Sequence, residues 1–255
     1  MNRIQRAFAG KKAFIAFLTG GDPDVETTEK LIIAMAENGV DAVEIGIPFS
    51  DPVAEGPVIQ AADIRALSGG CTVDKLFDMA ARLRTKIKIP LLFMTYANPI
   101  VVYGADRFMK NCAASGIDGI IVPDLPFEER GEISESCKKY GIVQISMIAP
   151  TSRERIKQIA KDAEGFIYCV SSLGVTGVRD KLTSDVGELI RQTKSVTDTP
   201  CAVGFGISTP KQARDMAAMA DGIIIGSAIV RIIAENGRNS LEPVIKYVRD
   251  IRSAL

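Results

Sequence analysis

The stretch VEIGIPFSDPVAEGPVIQ, residues 43–60, brings three carboxylates close together: Glu44, Asp51 and Glu55. Glu44 interrupts an apolar run, and its neighbours Ala42, Val43 and Ile45 call for burial. Taking an unpaired charge out of water costs several kcal/mol, so an acid in such a run needs a cationic partner or a task. Both readings of Glu44 are open here: a structural ion pair with an Arg or Lys, or a catalytic acid and base. The chain contains no histidine, which removes Ser-His and Cys-His dyads, His-ligated zinc and the commonest general base. Acid–base chemistry therefore falls to carboxylates, Lys, Tyr or Cys. Glu44, Asp51 and Glu55 come without the Asn, Asp or phosphate-facing Lys that completes a magnesium site, so no metal is expected.

A second set of residues points to an anion. Three glycine clusters recur in the second half: GVTG at 174–177, GFGIS at 204–208 and Gly226-Ser227. Glycine lets backbone N–H groups approach a phosphate, and Gly226-Ser227 opens the helical segment SAIVRIIAENG, whose N-terminus favours negative charge. No Walker A lysine motif is present and no G-x-G-x-x-G follows the first strand, so nucleotide binding loses its main support. No lysine lies at the C-terminal end of a strand, where a Schiff-base aldolase keeps its nucleophile. The residues thus describe a phosphorylated small molecule whose other end meets carboxylates.

These groups need a scaffold. Strand-length apolar runs recur at 14–19, 42–46, 90–96, 119–122, 143–148, 165–170, 201–205 and 222–226, each followed by a segment of helical period. Asp22-Pro23 reads as an N-cap with proline at the first helical position, Asn38-Gly39 as the end of that helix, and Ser208 or Thr209 with Pro210 as a repeat of the device. The first residues read as a helix carrying Ile4 and Phe8 and then a strand, rather than a signal peptide. Eight βα units in 255 residues predict an α/β fold, a (β/α)₈ TIM barrel with an extra N-terminal helix and extra helical segments, as one domain spanning 1–255. An open doubly wound sheet is the competing architecture. The connections at 48–57 and 172–183 are long, and in a barrel they lie on the catalytic face.

Composition narrows the partners. Lys+Arg and Asp+Glu are equal at 31 each, which gives no electrostatic footprint for nucleic acid or a membrane surface. The five cysteines are odd in number and lack C-x-x-C spacing, which fits free thiols in a reducing, cytoplasmic setting.

Taken together, VEIGIPFSDPVAEGP, FLTGGDP, MTYANP, IVPDLP, SSLGVTG, GFGIS and GSAIV resemble the tryptophan synthase alpha subunit family over essentially the whole chain. The resemblance implies retro-aldol cleavage of indole-3-glycerol phosphate to indole and glyceraldehyde 3-phosphate. It also implies passage of indole to a beta subunit in an α2β2 complex, with pyridoxal phosphate only in that beta subunit and no cofactor in this chain. By the same resemblance Glu44 shuttles protons and Glu55 meets the indole N–H. The familiar pattern has Asp where this chain has Glu55, one methylene longer. Asp51 signals to the partner. Phe17, Tyr96, Tyr168, Phe205 and Ile224 line the indole pocket, with Tyr168 also positioning Glu44. Gly177, Gly206, Gly226 and Ser227 hold phosphate, and Thr176 lies on a closing loop. The alternatives are a free-standing indole-3-glycerol-phosphate lyase, a catalytically silent phosphate-binding regulatory subunit, and another phosphate-binding barrel that lacks the PFSDPVAEGP loop.

Overall fold

A computed structural model describes residues 1–170, 179–204 and 206–255. Its strands are β1 (Ala13–Thr19), β2 (Ala42–Gly46), β3 (Leu91–Met94), β4 (Gly119–Ile121), β5 in two pieces (Val143–Gln144 and Ser146–Ile148), β6 (Ile167–Val170), β7 (Cys201–Gly204) and β8 (Gly222–Ile225). All neighbouring pairs are parallel, in the order β5-β4-β3-β2-β1-β8-β7-β6, and the ring closes where the two pieces of β5 meet. The sequence predicts an unbroken fifth strand. Instead, its first piece bonds to β4 and its second to β6, because a tilted strand in a small barrel meets its two neighbours at staggered heights.

The helices among the described residues are α1 (Arg3–Ala7), α2 (Val25–Glu37), α3 (Pro57–Ser68), α4 (Val73–Arg84), α5 (Ala97–Tyr103), α6 (Ala105–Ser115), α7 (Gly131–Tyr140), α8 (Ile156–Lys161), α9 (Arg179–Lys194), α10 (Pro210–Met219), α11 (Ser227–Asn236) and α12 (Leu241–Arg252). The expected extra segments are α1 and the doubled helices α3–α4 and α5–α6. Helix α1 closes the bottom of the barrel: Ile4 is buried and the Phe8 ring lies 5.5 Å from that of Phe166.

Strand period sets which residues face inward. In β2, Val43 and Ile45 join the layer between barrel and helices, whereas Ala42 packs with Ile15, Leu92, Phe166 and Ile224 inside the barrel. Glu44, two residues after Ala42, therefore faces the interior, level with Phe17 of β1 and Leu92 of β3 in the hydrogen-bond register. One helix start differs from expectation. Helix α2 is capped by Asp24, whose carboxylate accepts the Thr27 N–H at 2.7 Å. Buried Asp22 instead receives two 2.8 Å hydrogen bonds from Arg65; a guanidinium forty-three residues away outcompetes the local cap. The Thr209 cap and Pro210 occur as expected, with a complete capping box.

Candidate active site

A cavity of about 290 Å³ opens at the C-terminal ends of the strands. Phe17, Glu44, Met94, Tyr168 and Ile224 supply its floor, Ala54, Glu55, Gly56 and Ile59 one wall, and Gly206 to Ser208 with Gly226 to Ala228 and Arg231 the other. Two glycines make the floor possible. A Cβ on Gly204 would lie 2.2 Å from the Tyr168 hydroxyl, and one on Gly46 would lie 2.8 Å from the Phe17 ring. The missing side chains let both aromatic rings lie across neighbouring strands.

Glu44 is fully buried, and neither carboxylate oxygen has a hydrogen-bond partner among the described residues. Burial pushes its carboxyl up to about 8, because the charged form has lost water and gained nothing in return. The ion-pair reading of Glu44 thus has no cation to support it among the described residues. Tyr168 stands close enough for the Glu44 charge to add to burial in holding its phenol protonated.

Glu55 lies on the loop between β2 and α3 and is half-buried. Desolvation raises its pKa, while contacts with Asp63 and the Tyr96 hydroxyl pull it back down. Asp63 itself is 3% exposed, and burial followed by the neighbouring Glu55 carboxyl raises its pKa strongly. Thr19 Oγ1 donates to it at 3.4 Å.

Of the residues expected from sequence, the cavity brings together Phe17, Glu44, Glu55, Tyr168, Gly206, Ile224, Gly226 and Ser227. Thr176, Gly177 and Phe205 lie outside the described residues. Tyr96, expected beside the indole ring, packs against the acid loop. It is 2% exposed, stacks at 5.4 Å on Phe49, and its hydroxyl accepts the Ala54 N–H at 3.1 Å. The ring thus lies beneath the acid loop and anchors it through the Ala54 N–H. Asp51 is exposed, accepts a hydrogen bond from Ser50 and is absent from the cavity wall. The three carboxylates of the loop region do not converge; among the described residues no three His, Cys, Asp or Glu side chains cluster to hold a metal.

Three contributors escape the sequence reading: Met94, Arg231 and Asp63. Arg231 follows Ser227 by four residues and so shares its helix face. Asp63 had a legible signal. With Ile59, Ala62 and Ala66 it forms the buried stripe of α3, and an acid on an apolar stripe is as conspicuous as Glu44 in its strand.

The resulting chamber has one cation, Arg231, among its described lining residues. It stands with two serines and the N-terminus of α11, whereas the carboxyl groups occupy the floor and the opposite wall. This polarity suits a molecule with an anionic tail and a hydrogen-bond-donating head.

Comparison with known proteins agrees. Residues 5–254 match the family model described as tryptophan synthase alpha chain. The tryptophan synthase alpha chain of Lacticaseibacillus casei is 47% identical over all of this chain and 96% of its own length. That of Caldanaerobacter subterraneus subsp. tengcongensis is 45% identical over the full length of both. Among solved structures, tryptophan synthase subunit alpha from Legionella pneumophila superposes with a TM-score of 0.91 at 36% identity, covering 100% of this chain and 98% of that one. A chain of the Pyrococcus furiosus tryptophan synthase complex gives 0.86 at 36% identity, covering 95% and 98%. Full-length likeness of this kind favours neither a free-standing lyase nor a silent subunit: the chain belongs to the tryptophan synthase alpha chain family and has the function of an alpha subunit.

Proposed function

We propose that the chain, working as one barrel domain, cleaves the carbon–carbon bond of indole-3-glycerol phosphate by carboxylate acid–base catalysis. The observation that carries this reading is Glu44: a buried, unpartnered carboxyl on the floor of the cavity, protonated near neutral pH. In its acid form Glu44 gives a proton to indole C3, producing an electron-poor indolenine. It then takes the proton of the adjacent glycerol hydroxyl as the bond to C3 breaks, its electrons returning to the ring and the hydroxyl carbon becoming an aldehyde. A carboxyl poised near the working pH can serve in both directions. Glu55 accepts the indole N–H and stabilises the positive charge that develops there. Gly206, Gly226, Ser227 and Arg231 hold the phosphate, with Gly177 as a further backbone donor and Thr176 on the loop that closes over the site. Phe17, Tyr168, Phe205 and Ile224 contact the indole ring.

The partner is a beta subunit, and pyridoxal phosphate belongs to that partner. Val53 on the acid loop and Val101 and Val102 on α5 are 79%, 60% and 80% exposed and offer apolar side chains for a partner to cover. Asp51 lies on the same loop as Val53. No helix among the described residues is long and apolar enough to cross a membrane, and the five free, buried cysteines suit the cytoplasm. The test is indole release from indole-3-glycerol phosphate by wild type and Glu44→Gln, with and without a beta subunit. A slow wild-type reaction, accelerated by the partner and lost in the variant, is expected; substantial turnover by Glu44→Gln would remove Glu44 from the reaction.

A further inference from the structure

Beneath the acid loop, the Glu55 and Asp63 carboxyl groups lie in direct contact. Among the described residues their surroundings supply hydrogen-bond donors but no free cation. From β1 comes the Thr19 hydroxyl, 3.4 Å from Asp63. From the loop comes the Phe49 N–H, near enough to Asp63 to oppose the rise in its pKa. From the end of β3 comes the Tyr96 hydroxyl, which accepts the Ala54 N–H and stands close enough to Glu55 to lower its pKa. On α3 itself, Arg65 is fully engaged with Asp22 at 2.8 Å. The other charged groups nearby are acids: Glu44 on β2, and Asp124, which accepts the Ala97 N–H beyond Tyr96. One oxygen of Glu55 is buried with no donor. Two adjoining carboxylates without a cation cannot both ionise, and a proton between them also satisfies the bare oxygen.

We propose that Asp63 is a positioning residue for Glu55: the two carboxyl groups share one proton, and this contact holds Glu55 at the cavity wall. The extra methylene at position 55 provides reach from the loop to α3, so Glu55 and Asp63 work as a matched pair. The proton resides on Asp63, which donates to Glu55. Glu55 is thereby kept as the acceptor, the form in which it receives the indole N–H. This assignment rests on the function proposed above for Glu55, whereas the pairing itself does not depend on substrate.

Infrared difference titration of the unliganded chain reads the pairing directly. Wild type is expected to show two protonated carboxyls titrating in the neutral range, one from Glu44 and one from the pair. Glu44→Gln removes the first and leaves the second, whereas Asp63→Asn removes the second and Glu55→Gln shifts it to lower pH, because Asp63 loses the neighbour that adds to its burial. If Asp63→Asn leaves the titration of wild type intact, the shared proton does not exist. With indole-3-glycerol phosphate as substrate, Asp63→Asn moves the acid limb of kcat/KM to higher pH, since Glu55 loses the carboxyl proton whose hydrogen bond holds its pKa down. Glu55→Asp lowers kcat, and Glu55→Asp combined with Asp63→Glu restores part of the loss by moving the methylene to the other partner; purely additive losses would overturn the positioning role. Should wild type release no indole, the proposed reaction fails while the infrared result still decides the pair.

Discussion

Two sets of three carboxylates, one at each end of this barrel, are treated in opposite ways. At the N-terminal end, Asp41, Asp118 and Asp221 each stand one residue before a strand, and each accepts an N–H from the first or second residue of a neighbouring strand: Phe14 at 2.8 Å, Leu91 at 3.0 Å and Cys201 at 2.9 Å. Each also meets a cation: Arg252 with Asp41 at 2.9 Å, Arg84 with Asp118 at 3.0 Å and Lys194 with Asp221 at 2.5 Å. The same device, used three times, ties adjacent strands together where the barrel must close. At the C-terminal end, Glu44 has no partner among the described residues, and Glu55 and Asp63 have chiefly each other and neutral donors. A satisfied carboxylate stabilises a fold, whereas an unsatisfied one is held ready for a substrate. The contrast sets satisfied carboxylates at the bottom of the barrel and unsatisfied ones at the top, in keeping with an architecture that separates stability from chemistry.

Removing one acid from each end gives the sharpest test. Glu44→Gln should lower indole release by about 10²- to 10⁴-fold, the usual worth of a general acid–base group, with no loss of folding stability. Asp41→Ala should do the reverse. It leaves Lys11, Arg252 and the Phe14 N–H without their acceptor, at a cost of about 3 kcal/mol in urea unfolding, while activity per folded molecule persists. A large loss of stability in Glu44→Gln, or of kcat in Asp41→Ala, would break the division.

The pH dependence of stability should carry the same signature. Burial raises the Glu44 carboxyl from 4.5 to about 8 in the folded state, so folding binds this proton more tightly than the unfolded chain does. Its contribution is therefore complete below pH 4.5 and declines as the pH rises to about 8, with a slope of up to about 1.4 kcal/mol per pH unit. Asp63, also raised by burial, acts in the same direction. Unfolding curves collected between these pH values should flatten in Glu44→Gln, and an unchanged slope would mean that Glu44 is ionised in the folded protein.

The smallest effect concerns the anionic end of the cavity. Arg231→Met should raise KM for indole-3-glycerol phosphate about tenfold, as one charge-assisted contact is lost, with little change in the affinity for free indole. Equal weakening of both ligands would show that Arg231 shapes the cavity without meeting phosphate.

Much of this was present in the order of residues. Strand and helix periods are local, so the eight strands, the inward face of Glu44, the Thr209 cap and the glycines at the ends of β7 and β8 followed from spacing alone. The contacts between distant segments did not. Asp22 looked like a helix cap until Arg65 claimed it, the bond from the Ala54 N–H to the Tyr96 hydroxyl had no local signal, and Asp63 had no visible counterpart until Glu55 came to rest against it. Short-range geometry fixes which way a side chain points; which of several polar groups it meets depends on how the tilted strands and doubled helices bring remote segments together, and on the large cost of leaving any of them buried alone.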